Sequence, residues 1–388
     1  MVGECTKSGI CCIINYMDEC IWEKDSCCGC GACKDACYSG AICMIQDKAG
    51  FFYPRVNEKK CIRCGKCKQV CPLLNCSEES AQNLYFGVQA QNDKIRYEST
   101  SGGIFPILAE YIFRRQGVVY GAAFNQDMEV VHTEAFDMEQ LKSLKKTKYV
   151  QSNLDTVYLR IANWLKKERW VLFCGTPCQA HALKLFLKKQ PCESERLIIV
   201  SLVCYGVPSP GIWNSYIKYL ESRHGGKVTG FSFRDKRNKD NGHTCSYLIN
   251  NTEYTTSSYN NIYSKIYYAG YSLRPSCLKC KFCTVERDSD FTIGDFWGIE
   301  RINPTMDDGM GTSMVILHTE KARRIWISVR DELHWFECRK EEILQPRLIE
   351  PTAAVPGRRF FVTLYRVLPF PVLMKLVIGM VGLRGLLK

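Results

Sequence analysis

Eight cysteines near the start of the chain repeat one spacing, and the spacing predicts what they bind. Two runs read C-x-x-C-x-x-C-x-x-x-C, and Pro72 directly follows the second run. Three thiolates separated by two-residue gaps can wrap around one corner of a cubane, while the fourth thiolate reaches a neighbouring cluster. The spacing therefore predicts two 4Fe–4S clusters that exchange their fourth ligands. The expected ligand sets are Cys27, Cys30, Cys33 and Cys71 for one cluster, and Cys61, Cys64, Cys67 and Cys37 for the other.

Zinc is the main alternative for these cysteines, because paired C-x-x-C motifs also form tetrahedral zinc sites. Zinc would account for four cysteines in two pairs, but not for two consecutive runs of four with a terminal proline. A disulfide framework is disfavoured, because such frameworks are typical of small secreted domains. We therefore predict that residues 23–76 form a small α+β ferredoxin-like domain and that the chain transfers electrons.

The composition of the whole chain fits a protein of a reducing compartment. The chain has 388 residues, enough for two or three domains, and 24 cysteines, fifteen of them within the first 76 residues. Its first residues lack the charged and apolar segments of a signal peptide, so we expect a cytoplasmic protein of an anaerobe. Residues 1–22 are interpreted as a leader, and its cysteines have no recognisable ligand spacing. These cysteines are Cys5, Cys11, Cys12 and Cys20.

The net charge of +12 indicates either an anionic partner or a solvated basic face. Much of the positive charge lies in two clusters, which comprise Lys142, Lys145, Lys146 and Lys148, and then Arg234, Lys236, Arg237 and Lys239. No other feature is typical of a nucleic-acid-binding module, so we expect no nucleic acid partner. If the positive charge is functional, we interpret it as a surface that binds an anionic electron carrier.

From Leu84 to about Phe336, short apolar strands alternate with amphipathic helices. Strands are predicted at 118–124, 170–173 and 196–203, and a later helix is predicted from Glu320 to Trp335. This alternation favours a main α/β domain, residues 84–336, with a largely parallel or mixed sheet covered on both faces. Residues 337–388 form a C-terminal tail, which could pack on the core or on a second subunit. A position at a membrane surface is the third alternative, and it is disfavoured because Lys375 and two prolines interrupt the apolar run.

Four further cysteines could hold a third cluster within this domain. In L-F-C-G-T-P-C-Q a strand turns into a helix, and Cys178 lies in the first turn, where the helix dipole favours a thiolate. Cys204 lies at the end of the next apolar strand, and consecutive strands are usually neighbours. Cys277 and Cys280 form another C-x-x-C pair. Spacing alone leaves isolated buried cysteines as the alternative.

Five ordered motifs resemble those of the beta subunits of coenzyme F420 hydrogenases and dehydrogenases, which form one family. They are S-T-S-G-G-I at 99–104, T-K-Y-V-Q-S at 147–152, G-T-P-C-Q at 175–179, C-Y-G-V-P-S-P at 204–210 and R-D-S-D-F-T-I-G-D-F-W-G at 287–298. The resemblance implies an FAD and a 4Fe–4S cluster in the main domain, with Cys178, Cys204, Cys277 and Cys280 as the cluster ligands. Cys174 and Cys283 fall outside the motifs and are interpreted as bystanders. Tyr205 stands where many bacterial members have His, which puts a protonating role at that position in doubt.

The chain has no G-x-G-x-x-G motif, so an FAD site of the usual dinucleotide-binding kind is not expected. The S-G-G turn precedes a predicted helix, whose positive end could hold a pyrophosphate, with an ordinary N-cap loop as the alternative. Asp295 is the candidate catalytic residue, with capping of a turn as the alternative. The candidate FAD contacts are Ser101, Gly102, Gly103, Lys148, Tyr149, Gln151 and Ser152.

Together these features predict an iron–sulfur flavoprotein oxidoreductase. Electrons would pass between an external carrier (a ferredoxin or a deazaflavin), the 4Fe–4S clusters and FAD, with a small molecule as the substrate. One alternative is an electron-transfer subunit of a hydrogenase or dehydrogenase complex that has no substrate of its own. A second alternative is a redox sensor, and the oligomeric state is left open.

Overall fold

The computed structural model describes residues 23–75, 82–237 and 243–376. The leader with Cys5, Cys11, Cys12 and Cys20, the linker from Cys76 to residue 81, Lys239 and the last twelve residues lie outside the described residues. The strands are β1 (Ile42–Gln46), β2 (Phe52–Val56), β3 (Leu84–Ala90), β4 (Val118–Phe124), β5 (Val130–Ala135), β6 (Val171–Gly175), β7 (Leu197–Leu202), β8 (Val228–Asp235), β9 (Thr244–Ile249), β10 (Thr252–Ser257), β11 (Phe291–Asp295), β12 (Ser313–Leu317) and β13 (Leu333–Cys338). The helices are α1 (Ala32–Asp35), α2 (Lys66–Gln69), α3 (Asp93–Tyr97), α4 (Ile104–Phe113), α5 (Leu141–Leu144), α6 (Val157–Lys166), α7 (Pro177–Leu187), α8 (Pro210–His224), α9 (Ile262–Tyr268), α10 (Ile299–Ile302), α11 (Glu320–Val329), α12 (Lys340–Ile343) and α13 (Arg358–Tyr365).

The unit that carries the two cysteine runs is small and has mixed α and β structure. Strands β1 and β2 pair antiparallel, with Ile42 opposite Val56. Helices α1 and α2 each occupy the segment just before the last cysteine of a run. The apolar core of the hairpin comprises only a few buried side chains, including Phe51 and Tyr53. This arrangement is consistent with the ferredoxin-like unit that the sequence predicts.

The main domain is built on an eight-stranded mixed sheet in the order β13-β3-β12-β11-β7-β6-β4-β5. The central strands β11, β7, β6 and β4 run parallel to one another, and the outer pairings are antiparallel. Of the two arrangements left open by the sequence, the mixed sheet is the one observed. The carboxyl ends of the parallel strands meet at one edge, which is where ligands bind in open α/β sheets.

Both faces of this sheet are covered, because its buried strands alternate side chains between two cores. Leu172 and Ile198 face a core that includes helices α4 and α11. Phe173 and Ile199 face a second core, formed with helices α6 and α7. Ala32 of α1 belongs to this second core, so the cysteine-rich unit packs against the main domain.

Part of the predicted tail packs on the main domain. A three-stranded sheet in the order β10-β9-β8 and helices α8 and α9 surround a third core centred on Trp213. Phe361 of α13 and, further along, Leu373 and Met374 are buried in this core. Among residues 23–75, 82–237 and 243–376, no helix is both long and apolar enough to cross a membrane.

The helix predicted from Glu320 to Trp335 is wrong at its carboxyl end. Helix α11 ends at Val329, and the chain then forms β13, in which Trp335 lies opposite Val88 of β3. The indole of Trp335 packs edge-on against Trp326, which is itself in α11. Pairing with a strand more than 200 residues earlier overrides the local helical pattern, because it buries side chains that a longer helix would leave without partners.

Candidate redox site

Some cysteines of one run lie beside the last cysteine of the other run, as the predicted exchange of fourth ligands requires. Burial, and then the neighbouring Cys27, Cys71 and Cys67, raise the pKa of the Cys33 thiol. Cys71 closes the second run, yet it lies beside cysteines of the first. Burial, Cys64 and Cys37 raise the pKa of Cys67 in the same way, although Cys37 closes the first run. The placement agrees with an exchange of fourth ligands, and the ligand roles themselves stay predictions.

The two groups differ in their access to solvent. Cys27, Cys30, Cys33 and Cys71 are buried. In the other group Cys64 is exposed, and the remaining thiols are partly buried, with the N–H of Ala41 donating to Cys37 Sγ at 3.3 Å. Among the described residues no three Cys, His, Asp or Glu side chains converge as they would around a single metal ion. One group therefore lies inside the protein and the other at its surface.

Cys178 lies where the sequence predicts, in the first turn of α7. Thr176 caps the helix in a capping box with Gln179, and the Thr176 hydroxyl lies 3.2 Å from Cys178 Sγ. The helix dipole is expected to favour a thiolate here, but other groups act in the opposite direction. A hydrogen bond with Cys28, and then burial, raise the pKa of Cys178 well above its usual range.

The structure brings together all four cysteines predicted for the main domain. Burial, and then Cys277, Cys178 and Cys280, raise the pKa of Cys204, which follows β7. The backbone N–H of Val207 donates to Cys277 Sγ at 3.5 Å. All four thiols line one cavity of about 520 Å³ at the carboxyl edge of the parallel strands. We call it the inner cavity.

Three further cysteines, Cys28, Cys71 and Cys283, line the inner cavity and were not predicted to do so. Cys283 was interpreted as a bystander, but it shares a hydrogen bond with Cys280 that raises the pKa of Cys283 and lowers that of Cys280. The gaps of two residues from Cys277 to Cys280 and on to Cys283 were a usable signal. Cys28 had no such signal, because it reaches Cys178 only through the packing of the two units.

Arg274 joins the cysteine-rich unit to the main domain. Its side chain is completely buried, and its guanidinium donates to the carbonyls of Cys27 at 2.7 Å and Phe52 at 2.9 Å. It also donates to Gln151 Oε1 at 2.9 Å, and Gln151 Nε2 donates to the carbonyl of Cys28 at 3.0 Å. Gln151, predicted as an FAD contact, is therefore a contact between the two units.

The loop at 204–210 makes a second contact of this kind. Ser209 Oγ donates to the carbonyl of Ala49 at 2.6 Å, and the N–H of Gly211 donates to the carbonyl of Gly50 at 3.3 Å. The same loop begins with Cys204. It thus connects a thiol of the inner cavity to the surface that holds the cysteine-rich unit.

A second cavity, of about 290 Å³, lies on the other side of this loop. Most of the predicted FAD contacts line it, namely Ser101, Gly103, Lys148, Tyr149 and Ser152. Gly102 does not, and its N–H donates to Ser313 Oγ at 2.8 Å. The volume is at the lower end of the range of roughly 300–1,000 Å³ that is usual for ligand pockets. We call it the flavin cavity, after the cofactor predicted for it.

Charged and unpartnered groups give the flavin cavity its chemistry. Lys148 Nζ donates to the carbonyls of Ser143 at 2.8 Å and Lys145 at 2.6 Å, and burial lowers the pKa of Lys148 to about 7. His132 Nδ1 is buried and has no hydrogen-bond partner among the described residues, and burial lowers the pKa of His132 to about 4. Asp295, the candidate catalytic residue, is ion-paired with Arg234, and both line the cavity.

The two cavities share a wall made by Thr176 and residues 204–207. Tyr205 forms part of this wall, with its hydroxyl donating to the carbonyl of Tyr268 at 2.9 Å. Its ring packs edge-on against Tyr267, which lines the flavin cavity. Only a short loop therefore separates the grouped cysteines from the flavin cavity.

Comparison with known families agrees with this geometry. Residues 168–338 match the family described as the C terminus of the beta subunit of coenzyme F420 hydrogenase/dehydrogenase. This part of the chain is similar to that family. Residues 26–74 match a 4Fe–4S dicluster domain. Both resemblances read from the sequence are confirmed, and the 4Fe–4S interpretation of the two cysteine runs is supported over zinc.

Individual relatives are distant. The F420H2 dehydrogenase of Methanosarcina mazei contains a subunit, designated F, that is 24% identical over 197 residues, which cover 47% of this chain and 54% of that protein. The chain thus matches only about half the length of this curated relative. The F420-reducing [NiFe] hydrogenase complex of Methanosarcina barkeri, solved after xenon derivatisation, contains a chain with a TM-score of 0.43 and 16% identity. That match covers 74% of this chain and 88% of the other, and at this score it carries no functional argument.

Proposed function

We propose that the chain is an iron–sulfur flavoprotein oxidoreductase that accepts electrons at its surface and delivers them to a flavin. The observation that carries the proposal is the order of the sites. The exposed cysteine group, the buried group, the inner cavity and the flavin cavity adjoin one another, and Cys28 and Cys71 border the inner cavity beside Cys178. When bound, 4Fe–4S clusters carry single electrons and a flavin couples them to two-electron chemistry.

The residues of the inner cavity fit a third cluster. Cys178, Cys204, Cys277 and Cys280 supply four soft thiolates, with Cys28 and Cys283 as additional thiols next to them. The N–H of Val207 donates to Cys277 Sγ, and such a bond orients a ligand and reduces its negative charge. The four thiols are partly buried at the wall of the cavity.

The residues of the flavin cavity fit a large anionic cofactor. Lys148 is a half-buried amine whose partners are backbone carbonyls, so the negative charge of a phosphate group would favour its protonated form. Ser101 and Gly103 lie at the positive end of α4, and His132 lines the same cavity. Tyr149 would contact the ring system. Asp295 holds Arg234 in place, so we assign it orientation of the cofactor or substrate instead of proton transfer.

A second function, the electron-transfer subunit of a larger complex, is favoured by one observation. The relative in Methanosarcina mazei is named as a subunit of a dehydrogenase. In that case a partner chain would supply the substrate chemistry, and this chain would hold the clusters and the flavin.

Anaerobic purification, with iron, acid-labile sulfide and flavin counted per chain, tests the proposal. We expect about twelve irons and one FAD, as three cubanes require. The double variant Cys178→Ala/Cys204→Ala should lose about four irons and keep the signals of the other clusters. Cys192→Ala, at a partly buried cysteine outside the inner cavity, is the control.

About eight irons and no flavin in the wild-type protein would refute both the inner cluster and the flavin site. If the cofactors are present, turnover of a deazaflavin with an artificial acceptor by the isolated chain distinguishes the two functions. Turnover only after a partner is added would identify a subunit.

A further inference from the structure

The exposed cysteine group lies on a surface with unusual charge. Cys64 is the exposed thiol of its group, whereas the other group is buried beside the main domain. Because the rate of electron transfer falls steeply with distance, an external carrier must approach the group that solvent reaches. The surface that surrounds Cys64 is therefore where electrons would enter.

Five cations lie within ten residues of the chain at this surface. They are Lys59, Lys60, Arg63, Lys66 and Lys68, and all five side chains are exposed. Within residues 57–70 the only acidic residue is Glu58, so the segment has a net charge of +4. None of the five forms an ion pair with another described residue, whereas Lys34 of the same unit pairs with Asp155.

Two large apolar side chains are exposed among these cations. Ile62, between Cys61 and Cys64, is 70% exposed, and Tyr38 is 65% exposed. The ammonium of Lys66 lies 3.8 Å from the centre of the Tyr38 ring, which places the ring inside the basic cluster. An apolar centre with a charged rim is typical of interfaces between proteins. We call this surface, formed by Tyr38, Lys59, Lys60, Ile62, Arg63, Lys66 and Lys68, the basic rim.

We propose that the basic rim is the docking site for a small acidic one-electron carrier protein. This inference rests on the proposed function and specifies its electron donor. A carrier of negative charge is steered to the rim by electrostatic attraction, and Ile62 and Tyr38 give the short-lived complex its contact area. In each encounter one electron leaves the carrier, which is oxidised, and the cluster next to Cys64 is reduced by one electron. No atom or proton is transferred.

The test uses the full chain with its clusters, mixed anaerobically with a reduced bacterial two-cluster ferredoxin of net negative charge. Bleaching of the visible absorbance gives the second-order rate constant. We expect the rate constant to fall with rising salt concentration, because salt screens the attraction. Lys59→Glu/Lys60→Glu should lower it by about tenfold or more and remove most of the salt dependence.

Lys166→Glu/Lys189→Glu is the matched control, since it makes the same change in net charge at two exposed lysines of the main domain. The control should retain nearly the wild-type rate constant. Reduced methyl viologen, a cation, should reduce Lys59→Glu/Lys60→Glu at least as fast as wild type. If that variant loses iron, Lys59→Gln/Lys60→Gln replaces it and should show a smaller decrease.

Equal slowing of the rim variant and the control would show that only net charge matters and would overturn the proposal. Wild-type rates in the rim variant would overturn it as well, as would reduction by a reduced deazaflavin but not by the acidic ferredoxin. A different result would refute the proposed function itself, namely that reduced methyl viologen reduces no cluster in the wild-type protein.

Discussion

Replacement of Arg274 by Met tests whether the cysteine-rich unit is held rigidly against the main domain. The variant removes the donors to the carbonyls of Cys27 and Phe52 and to Gln151, and it removes a cation 4.2 Å from the centre of the Tyr53 ring. Hydrogen bonds from a charged group contribute about 1.5–3 kcal/mol each. Removal of an incompletely neutralised buried charge offsets part of this loss. We therefore expect the free energy of unfolding of the variant to fall by about 3–5 kcal/mol.

The loss should appear at the contact between the two units. In anaerobic urea unfolding, visible absorbance reports the clusters and far-ultraviolet circular dichroism reports the main domain. Wild type should give one coincident transition, and Arg274→Met should give an earlier transition in visible absorbance. Electron transfer from the ferredoxin-like unit to the flavin should also slow. Arg274→Lys keeps the positive charge but can reach fewer of the three acceptors, so we expect its visible transition between those of wild type and Arg274→Met.

Arg287→Met is the matched control. Arg287 is also buried and donates to three backbone carbonyls, but none of the three lies in the cysteine-rich unit. It should lower stability by a similar amount while the two transitions stay coincident. If Arg274→Met unfolds like wild type, or if its transitions coincide, Arg274 does not hold the units together.

Three further predictions concern single residues. Gly29→Ala should destabilise the ferredoxin-like unit by about 2–4 kcal/mol and reduce its iron content, because Gly29 has φ +68° and a new Cβ would lie 2.6 Å from Nη1 of Arg274. Gly225→Ala is the control, because Gly225 has the same φ but no atom within 4 Å of its new Cβ. If Gly225→Ala lowers the stability as much as Gly29→Ala, the clash with Arg274 is not the cause. Burial lowers the pKa of His318 from 6.5 to about 3, so its contribution is fully present above pH 6.5 and is lost as the pH falls towards 3. The unfolding free energy should drop by about 2 kcal/mol between pH 6.5 and 5, and His318→Gln, measured by urea unfolding, should remove this slope. Lys236→Met should weaken flavin binding about tenfold with iron unchanged, because Lys236 donates to three carbonyls, one of them that of Ser101 beside the flavin cavity. If flavin titrations give the same affinity for wild type and for Lys236→Met, that role is contradicted.

Features that depend on neighbouring residues in the chain were predictable from the sequence. The cysteine spacing predicted a pair of 4Fe–4S clusters, which the match of residues 26–74 to a dicluster domain supports, and the predicted strand at 118–124 agrees with β4. Thr176 and Pro177 marked the start of α7, because capping and the fixed φ of proline act within one helical turn. The approach of Cys178 to Cys204 followed from the rule that consecutive strands are neighbours.

Features that depend on packing between distant segments were not predictable. Gln151 was predicted to contact FAD, but it bonds with Arg274 and the carbonyl of Cys28, more than 120 residues away in the chain. Nothing near Cys28 in the sequence indicates that its thiol reaches Cys178. Strand β13 was missed for the same reason, since its pairing with β3 depends on residues that no local window contains.

The separation of Cys27 and Arg274 by 247 residues has a consequence during synthesis. At about 5–20 residues per second, the ribosome adds Arg274 roughly 12–50 s after Cys27. During that interval the newly made ferredoxin-like unit exposes the face that the main domain later covers. Cysteines that are buried in the finished protein are then open to cluster-assembly factors and to oxygen. The order of synthesis therefore provides a period in which the first cluster can be inserted. Thiol labelling of ribosome-stalled chains that end before, or well after, residue 274 should show higher cysteine reactivity in the shorter chains.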